Sequence, residues 1–253
     1  MPPLRPLVLA ALVLGTAVAC GNGDGGDAGK DAAPETSTST STTKPRRGLL
    51  DQREEFPAYA VDAKGPKVDV YDRPDGGVVR TFDNPQPSGA PLVFLQERRE
   101  GEWLNVFLPA RPNGSTGWVR RADVTVRGVA FRVEVLRGAH SLKLYERDQL
   151  VREFPVGIGT NDTPTPGGTF YIKELLEPPN PDGDYGPYAY GLSGFSNVLT
   201  NFNGGAGVIG IHGTNQPGSV GRDVSHGCIR MRNEDIRYLA ERLPLGTPVK
   251  VLA

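Results

Sequence analysis

Cysteine is nearly absent: Cys20 and Cys228 are the only two in 253 residues. A disulfide scaffold and a four-cysteine zinc site are thereby excluded. Net charge is also small, with 28 basic against 29 acidic side chains, so no bulk field draws the chain to nucleic acid. No apolar run reaches the roughly 18 residues of a membrane-spanning helix. Histidine is limited to three residues. Glycine and proline, by contrast, supply 33 and 23 residues, nearly double their average usage. That composition favours a turn-rich, mainly β chain and argues against helical bundles and coiled coils.

Leu7 to Ala19 is a thirteen-residue apolar stretch, LVLAALVLGTAVA, preceded by Arg5 and ending in small residues. A basic start, a short apolar core and a small-residue exit predict a secretory signal peptide over residues 1–19. From Gly21 to Arg47 there is no Leu, Ile, Val, Met or aromatic residue. Such a segment cannot bury enough apolar surface to offset chain entropy, so residues 20–56 read as a tether. Cys20 stands at the junction, behind Ala17, Val18 and Ala19. This resembles a bacterial lipoprotein signal, which implies a lipidated Cys20 at the mature N-terminus and a membrane anchor. An ordinary signal-peptidase cut after Ala17 or Ala19 would instead release a secreted protein. The first route places the chain in the cell envelope, the second outside it; both are extracytoplasmic.

Tyr59 to Val126 holds short strand-like runs, KVDVYDR, GGVVRTF, PLVFLQERR, EWLNVFL and GWVRRADV, separated by turns such as Asp75-Gly76-Gly77 and Pro112-Asn113-Gly114. Val68 and Val70 alternate with Asp69, as in a half-buried strand. The spacing predicts a small β-barrel. Val70-Tyr71-Asp72-Arg73-Pro74, Glu102 to Val106 and Gly117-Trp118-Val119-Arg120 resemble a bacterial SH3-like domain, placed at residues 57–126. Such domains bind cell-wall peptides or position a catalytic domain. The two tryptophans read as packing residues rather than a ligand platform.

A second β-rich domain is expected over residues 127–253. Phe131, Val133 and Val135 alternate with charged residues, as do Leu142 and Leu144, and Arg147-Asp148-Gln149 turns the chain. These are hairpin signals for an antiparallel sheet. Glu177 to Phe195 shows no helical or strand period and reads as a functional loop or lid. One helix is expected from Asn233, a candidate N-cap, with Ile236, Leu239 and Leu243 on its core face. Gly246 onward returns as a last strand.

The chemistry gathers in Ile209 to Arg232, IGIHGTNQPGSVGRDVSHGCIRMR, which contains His212, His226 and Cys228. The third histidine, His140, lies in a turn and reads as solvated surface. An inert buried thiol is the commonest fate of a free cysteine. Glycine beside Cys228, however, leaves the backbone open, which core packing does not require. Neighbouring imidazoles and Arg230 could favour a thiolate nucleophile, and the amides of Gly227 and Cys228 could face an oxyanion. His212, His226 and Cys228 could alternatively ligate zinc, but no acidic cluster or second cysteine joins them.

His212-Gly213 followed by Ser225-His226-Gly227-Cys228-Ile229-Arg230 closely resembles the signature of the L,D-transpeptidases (YkuD-like). Thr163 to Phe170, TPTPGGTF, and Tyr185 to Phe195 resemble further segments of that family, so the likeness spans residues 130–252. The resemblance implies a mainly β fold and a peptidoglycan L,D-transpeptidase. Cys228 would attack the third residue of a stem peptide, form a thioester, and pass the acyl group to a second stem as a 3→3 cross-link. His212 would be the base, His226 would orient the site, and Gly227 would serve the oxyanion. Arg230, Ser225, Gly213, Tyr188, Tyr190 and Phe195 would bind or position substrate. No cofactor and no metal are implied. Peptidoglycan stems would be donor and acceptor, and carbapenems would acylate the thiol. The alternatives are hydrolysis of the same bond, as an L,D-carboxypeptidase, or a non-catalytic wall-binding lipoprotein. A papain-like endopeptidase is disfavoured because its cysteine precedes its histidine in sequence.

Overall fold

The computed structural model describes residues 56–201 and 205–253. The expected signal peptide, Cys20 and all but the last residue of the expected tether lie outside the described residues. Seven strands form the first sheet: β1 (Ala58–Ala63), β2 (Lys67–Tyr71), β3 (Val78–Asp83), β4 (Val93–Glu100), β5 (Trp103–Phe107), β6 (Thr116–Arg120) and β7 (Val124–Val129). Their order is β3-β2-β6-β5-β4-β1-β7. Val61, Val68, Val70, Phe94, Leu104, Val106 and Val119 share one buried core, as the alternating pattern requires. Trp103 and Trp118 are buried with Tyr71, and Arg120 covers the Tyr71 ring at 4.8 Å.

A second sheet holds β8 (Phe131–Leu136), β9 (Ser141–Glu146), β10 (Gln149–Pro155), β12 (Gly168–Leu176), β13 (Ala189–Phe195), β14 (Val208–His212), β16 (Ile229–Arg230) and β17 (Pro248–Leu252). The order is β10-β9-β8-β17-β12-β13-β14-β16. Two short parallel strands, β11 (Ile158–Gly159) and β15 (Asp223–Ser225), pair beside it. One α-helix occurs among the described residues, α1 (Asn233–Ala240). Its Ile236 and Leu239 join Val133, Leu144, Ile172, Ile211 and Val249 in the larger core.

Four expectations are corrected here. The boundary at residue 127 falls inside β7, which continues the first sheet to Val129. The second sheet is mixed rather than antiparallel: β17 enters parallel to β8, and β16 runs parallel to β14. Hairpin signals report only chain-adjacent pairs, whereas these two pairs join strands distant in sequence. The irregular segment is shorter than expected, because residues 189–195 form β13, buried over nearly its whole length. Asn233 is not the N-cap; Arg232 holds that position with an extended backbone and no side-chain capping bond.

The two sheets lie in one compact unit. Ala60, Val93, Leu95 and Val129 pack around the fully buried Tyr171 of β12. The Arg127 guanidinium pairs with Asp62 at 2.8 Å and donates to the Leu245 carbonyl. Gly246 sits at this seam with φ +84°, and a Cβ there would lie 2.4 Å from the Cβ of Ala60. Gly246→Ala therefore combines left-handed strain with a collision between the sheets. Strain alone should cost about 1–3 kcal/mol, lowering the melting temperature measured by differential scanning calorimetry.

Candidate active site

The site is assembled where two strands end side by side. β14 and β16 pair in parallel, with Ile211 opposite Ile229 and His212 opposite Arg230. Cys228 immediately precedes β16, so the parallel register sets it level with Gly210, two residues before His212 on β14. His212, Ser225, His226, Cys228 and Arg230 line one cavity, together with Asp184, Tyr185 and Gln216. Its volume is about 190 Å³, below the ~300 Å³ of drug-sized sites, so it fits the reacting end of a longer chain.

Each group is fixed by local bonds. The Nδ1–H of His212 donates to the Gly213 carbonyl at 2.6 Å, which makes Nε2 the basic nitrogen of the neutral ring. Gly213 is confined on its other side. A Cβ there would approach Asn233 Oδ1 to 2.4 Å and Pro187 Cδ to 3.0 Å. Asn233 Oδ1 accepts the Thr214 N–H at 2.8 Å, so the residue expected as a helix cap instead secures the turn after His212. Ser225 Oγ donates to the Cys228 carbonyl at 2.6 Å and accepts the Gly227 N–H at 3.1 Å. Thr160 N–H and Thr163 Oγ1 both donate to the Ser225 carbonyl at 3.1 Å. Gly227 adopts φ +114°, a region that L side chains rarely enter.

Burial sets the electrostatics. His212 is 5% exposed. Desolvation is the chief cause holding its pKa down at about 4; Arg230 depresses it further, while the Gly213 bond and Asp184 oppose the shift. Burial pushes the Cys228 thiol up from 9.0, against a backbone hydrogen bond from Gly210 and the Arg230 charge. Near neutral pH the resting pair is therefore a thiol beside a neutral imidazole. Arg230 exchanges both main-chain bonds with Gly157 at 2.8 Å. Its buried Nε has no hydrogen-bond partner among the described residues.

The expected site residues divide into two sets. Cys228, His212, His226, Ser225 and Arg230 meet in the cavity, with His226 exposed at its rim. Gly213 and Gly227 support it through their backbones. The Gly227 amide donates to Ser225 Oγ. Tyr190 and Phe195 do not line the cavity. Tyr190 is 1% exposed and its hydroxyl donates to the Leu239 carbonyl at the end of α1. Phe195 lies at the far end of β13, beneath Arg111. The Tyr188 side chain packs half-buried against the core, while its carbonyl accepts the Gly213 N–H. The aromatic side chain that reaches the site is Tyr185, whose ring lies 4.8 Å from that of His212. Residue type does not separate the three tyrosines: Tyr185 falls in a turn ahead of β13, whereas Tyr190 lies within that strand. His140 is half-buried rather than solvated, and its Nε2 pairs with Asp223 at 2.8 Å.

A family model described as the L,D-transpeptidase catalytic domain (YkuD) matches residues 130–251. A protein named as an L,D-transpeptidase, YkuD of Bacillus licheniformis, is 41% identical over 49% of this chain and 66% of its own length. The Bacillus subtilis protein of the same name is 33% identical over 57% of this chain and 84% of its own. Among solved structures, an L,D-transpeptidase from Mycobacterium smegmatis overlays with a TM-score of 0.43 at 16% identity, over 65% of this chain and 92% of that one.

The neutral pair has a pH signature. Transfer of the thiol proton to His212 leaves the total proton count unchanged, so the reactive ion-pair fraction is independent of pH while imidazole and thiol keep their resting states. Alkylation of Cys228 by iodoacetamide should show a flat shoulder across neutral pH, fall away as His212 protonates near pH 4, and rise above pH 9. His212→Ala should lack the shoulder, with a rate that drops about tenfold per pH unit below the thiol pKa. Mass-spectrometric rates from about pH 3 to 10 distinguish the two profiles.

Proposed function

The chain belongs to the L,D-transpeptidase family, and on that premise we propose that it joins peptidoglycan stem peptides by 3→3 cross-links, with Cys228 as nucleophile. One observation carries the reading: a buried imidazole of fixed tautomer and a thiol line a single cavity, delivered by neighbouring strand ends. His212 Nε2 takes the thiol proton as Sγ attacks the carbonyl of the third stem residue. The amide bond to the terminal D-alanine breaks, and the proton passes to the departing amine. The acyl group remains on Cys228 as a thioester. An amine of a second stem then attacks that carbonyl, gives its proton to His212, and expels the thiolate, which is reprotonated.

Arg230 presents a charged, incompletely bonded guanidinium to the cavity, suited to a substrate carboxylate. The Cys228 amide serves the oxyanion in place of Gly227. Tyr185 covers the imidazole, and Asp184 stands at the rim. No cofactor is required, which suits a compartment without ATP. We extend the proposal to the remainder of the chain: a signal peptide over residues 1–19, lipid on Cys20, and a tether over residues 20–56. The first sheet acts as an SH3-like module that supports the catalytic part at the envelope. Carbapenems would acylate Cys228.

Incubation with a disaccharide tetrapeptide tests the reaction by product mass. Transfer yields a dimer lacking one D-alanine, and Cys228→Ala yields none. A shortened tripeptide without dimer would assign the hydrolytic alternative. Absence of any acyl adduct on the wild-type thiol, with substrate or with a carbapenem, would overturn the enzyme reading.

A further inference from the structure

We propose that Arg111 and Asn113, on the loop joining β5 to β6 in the first sheet, are positioning residues for His212. They clamp the closed end of the β13–β14 hairpin and so set the register that delivers the imidazole to Cys228. The proposal rests on His212 being the base of Cys228.

The clamp is dense. Asn113 Nδ2 donates to the Phe195 carbonyl at 2.7 Å, and Asn113 Oδ1 accepts the Phe195 N–H at 2.9 Å. The side chain thus bonds the end of β13 as a neighbouring strand would. Arg111 Nη1 donates to the Ser196 carbonyl at 2.8 Å. Its Nη2 reaches the carbonyls of Leu199 at 3.2 Å and Ala206 at 3.1 Å. Those carbonyls belong to the chain leaving β13 and the chain returning to β14. A single guanidinium therefore ties both arms, and it also lies 5.0 Å from the Phe195 ring.

The hairpin needs this support because its own pairing is irregular. Gly191 faces Gly210, yet Phe195 faces Val208, so four steps along β13 match two along β14. The regular pairs therefore cover only Ala189 to Gly191 beside His212, the clamp holds the hairpin beyond the interruption, and a slip of one residue would turn every side chain to the other face. β14 spans five residues, with His212 last. Its partner on the far side, β16, offers only two. A slip begun at the unclamped end would carry His212 away from the cavity.

The alkylation profile of Cys228 in the whole chain provides the test, since it needs no peptidoglycan reaction. Arg111→Ala should lose the neutral-pH shoulder, reacting about 10- to 100-fold more slowly at pH 6, in the range expected for a misplaced catalytic group. It should keep the rise above pH 9, and ethylguanidinium should restore the shoulder. Asn113→Ala should move the profile the same way, and it reports on the clamp should Arg111→Ala fail to fold. An intact shoulder in the folded Arg111→Ala and Asn113→Ala proteins, while His212→Ala loses it, overturns the clamp and leaves the base reading standing. An intact shoulder in His212→Ala overturns the base reading and the clamp with it.

Discussion

Cys228 and His212 are brought to one cavity over only two facing pairs of parallel strand, Ile211 with Ile229 and His212 with Arg230. A pairing that short does not hold itself together, and the surrounding bonds can be understood as its supports. Gly157 exchanges both main-chain bonds with Arg230, and Met231 N–H donates to the His212 carbonyl. Ser225 bridges Gly227 to Cys228 from within the turn. The segment at Thr160 to Thr165 holds Ser225 from outside. Each contact fixes one chain relative to another rather than adding core, so geometry is secured where hydrophobic burial alone would leave it loose.

Burial does opposite things to the two reacting groups and reaches the same end. It holds the imidazole neutral down to about pH 4 and raises the thiol, because low polarity penalises whichever form carries charge. Arg230 lies near both and favours a thiolate over an imidazolium. The pair therefore rests uncharged, and charge develops only as the thiol attacks. A protonated thiol is also far less reactive towards oxidants than a thiolate.

Local chemistry was legible in the sequence wherever it depended on neighbouring residues. Ser225 to Cys228 could be read because the turn bonds within itself, and the alternation of Val133 with Val135 showed an inward face. Long-range pairing was not legible. Nothing in residues 229–230 reveals a parallel partner at Ile211, and the last strand gives no sign that it inserts between β8 and β12. Tyr185, Tyr188 and Tyr190 share residue type but not fate, because Tyr185 lies in a turn beside His212 while Tyr190 lies within the buried strand β13. Asn233 misled for a physical reason: an amide side chain able to cap a helix can equally accept an N–H from another turn, here that of Thr214.

Tyr185 and Gly213 link the segment over the site to the basicity of His212. Gly186 adopts φ +63°, and a Cβ there would approach Gly213 Cα to 2.6 Å, so the segment is seated on the residue whose carbonyl orients the imidazole. The adjacent Tyr185 ring lies against His212 while remaining 39% exposed. Seating and shielding are thus coupled through Gly213. Lifting the segment would hydrate the imidazole and loosen the turn that fixes its tautomer. Hydration would also raise its pKa towards the ordinary 6.5, since desolvation is the chief cause of the depression. The imidazole is held neutral and aimed by the same contacts, so the two properties stand or fall together.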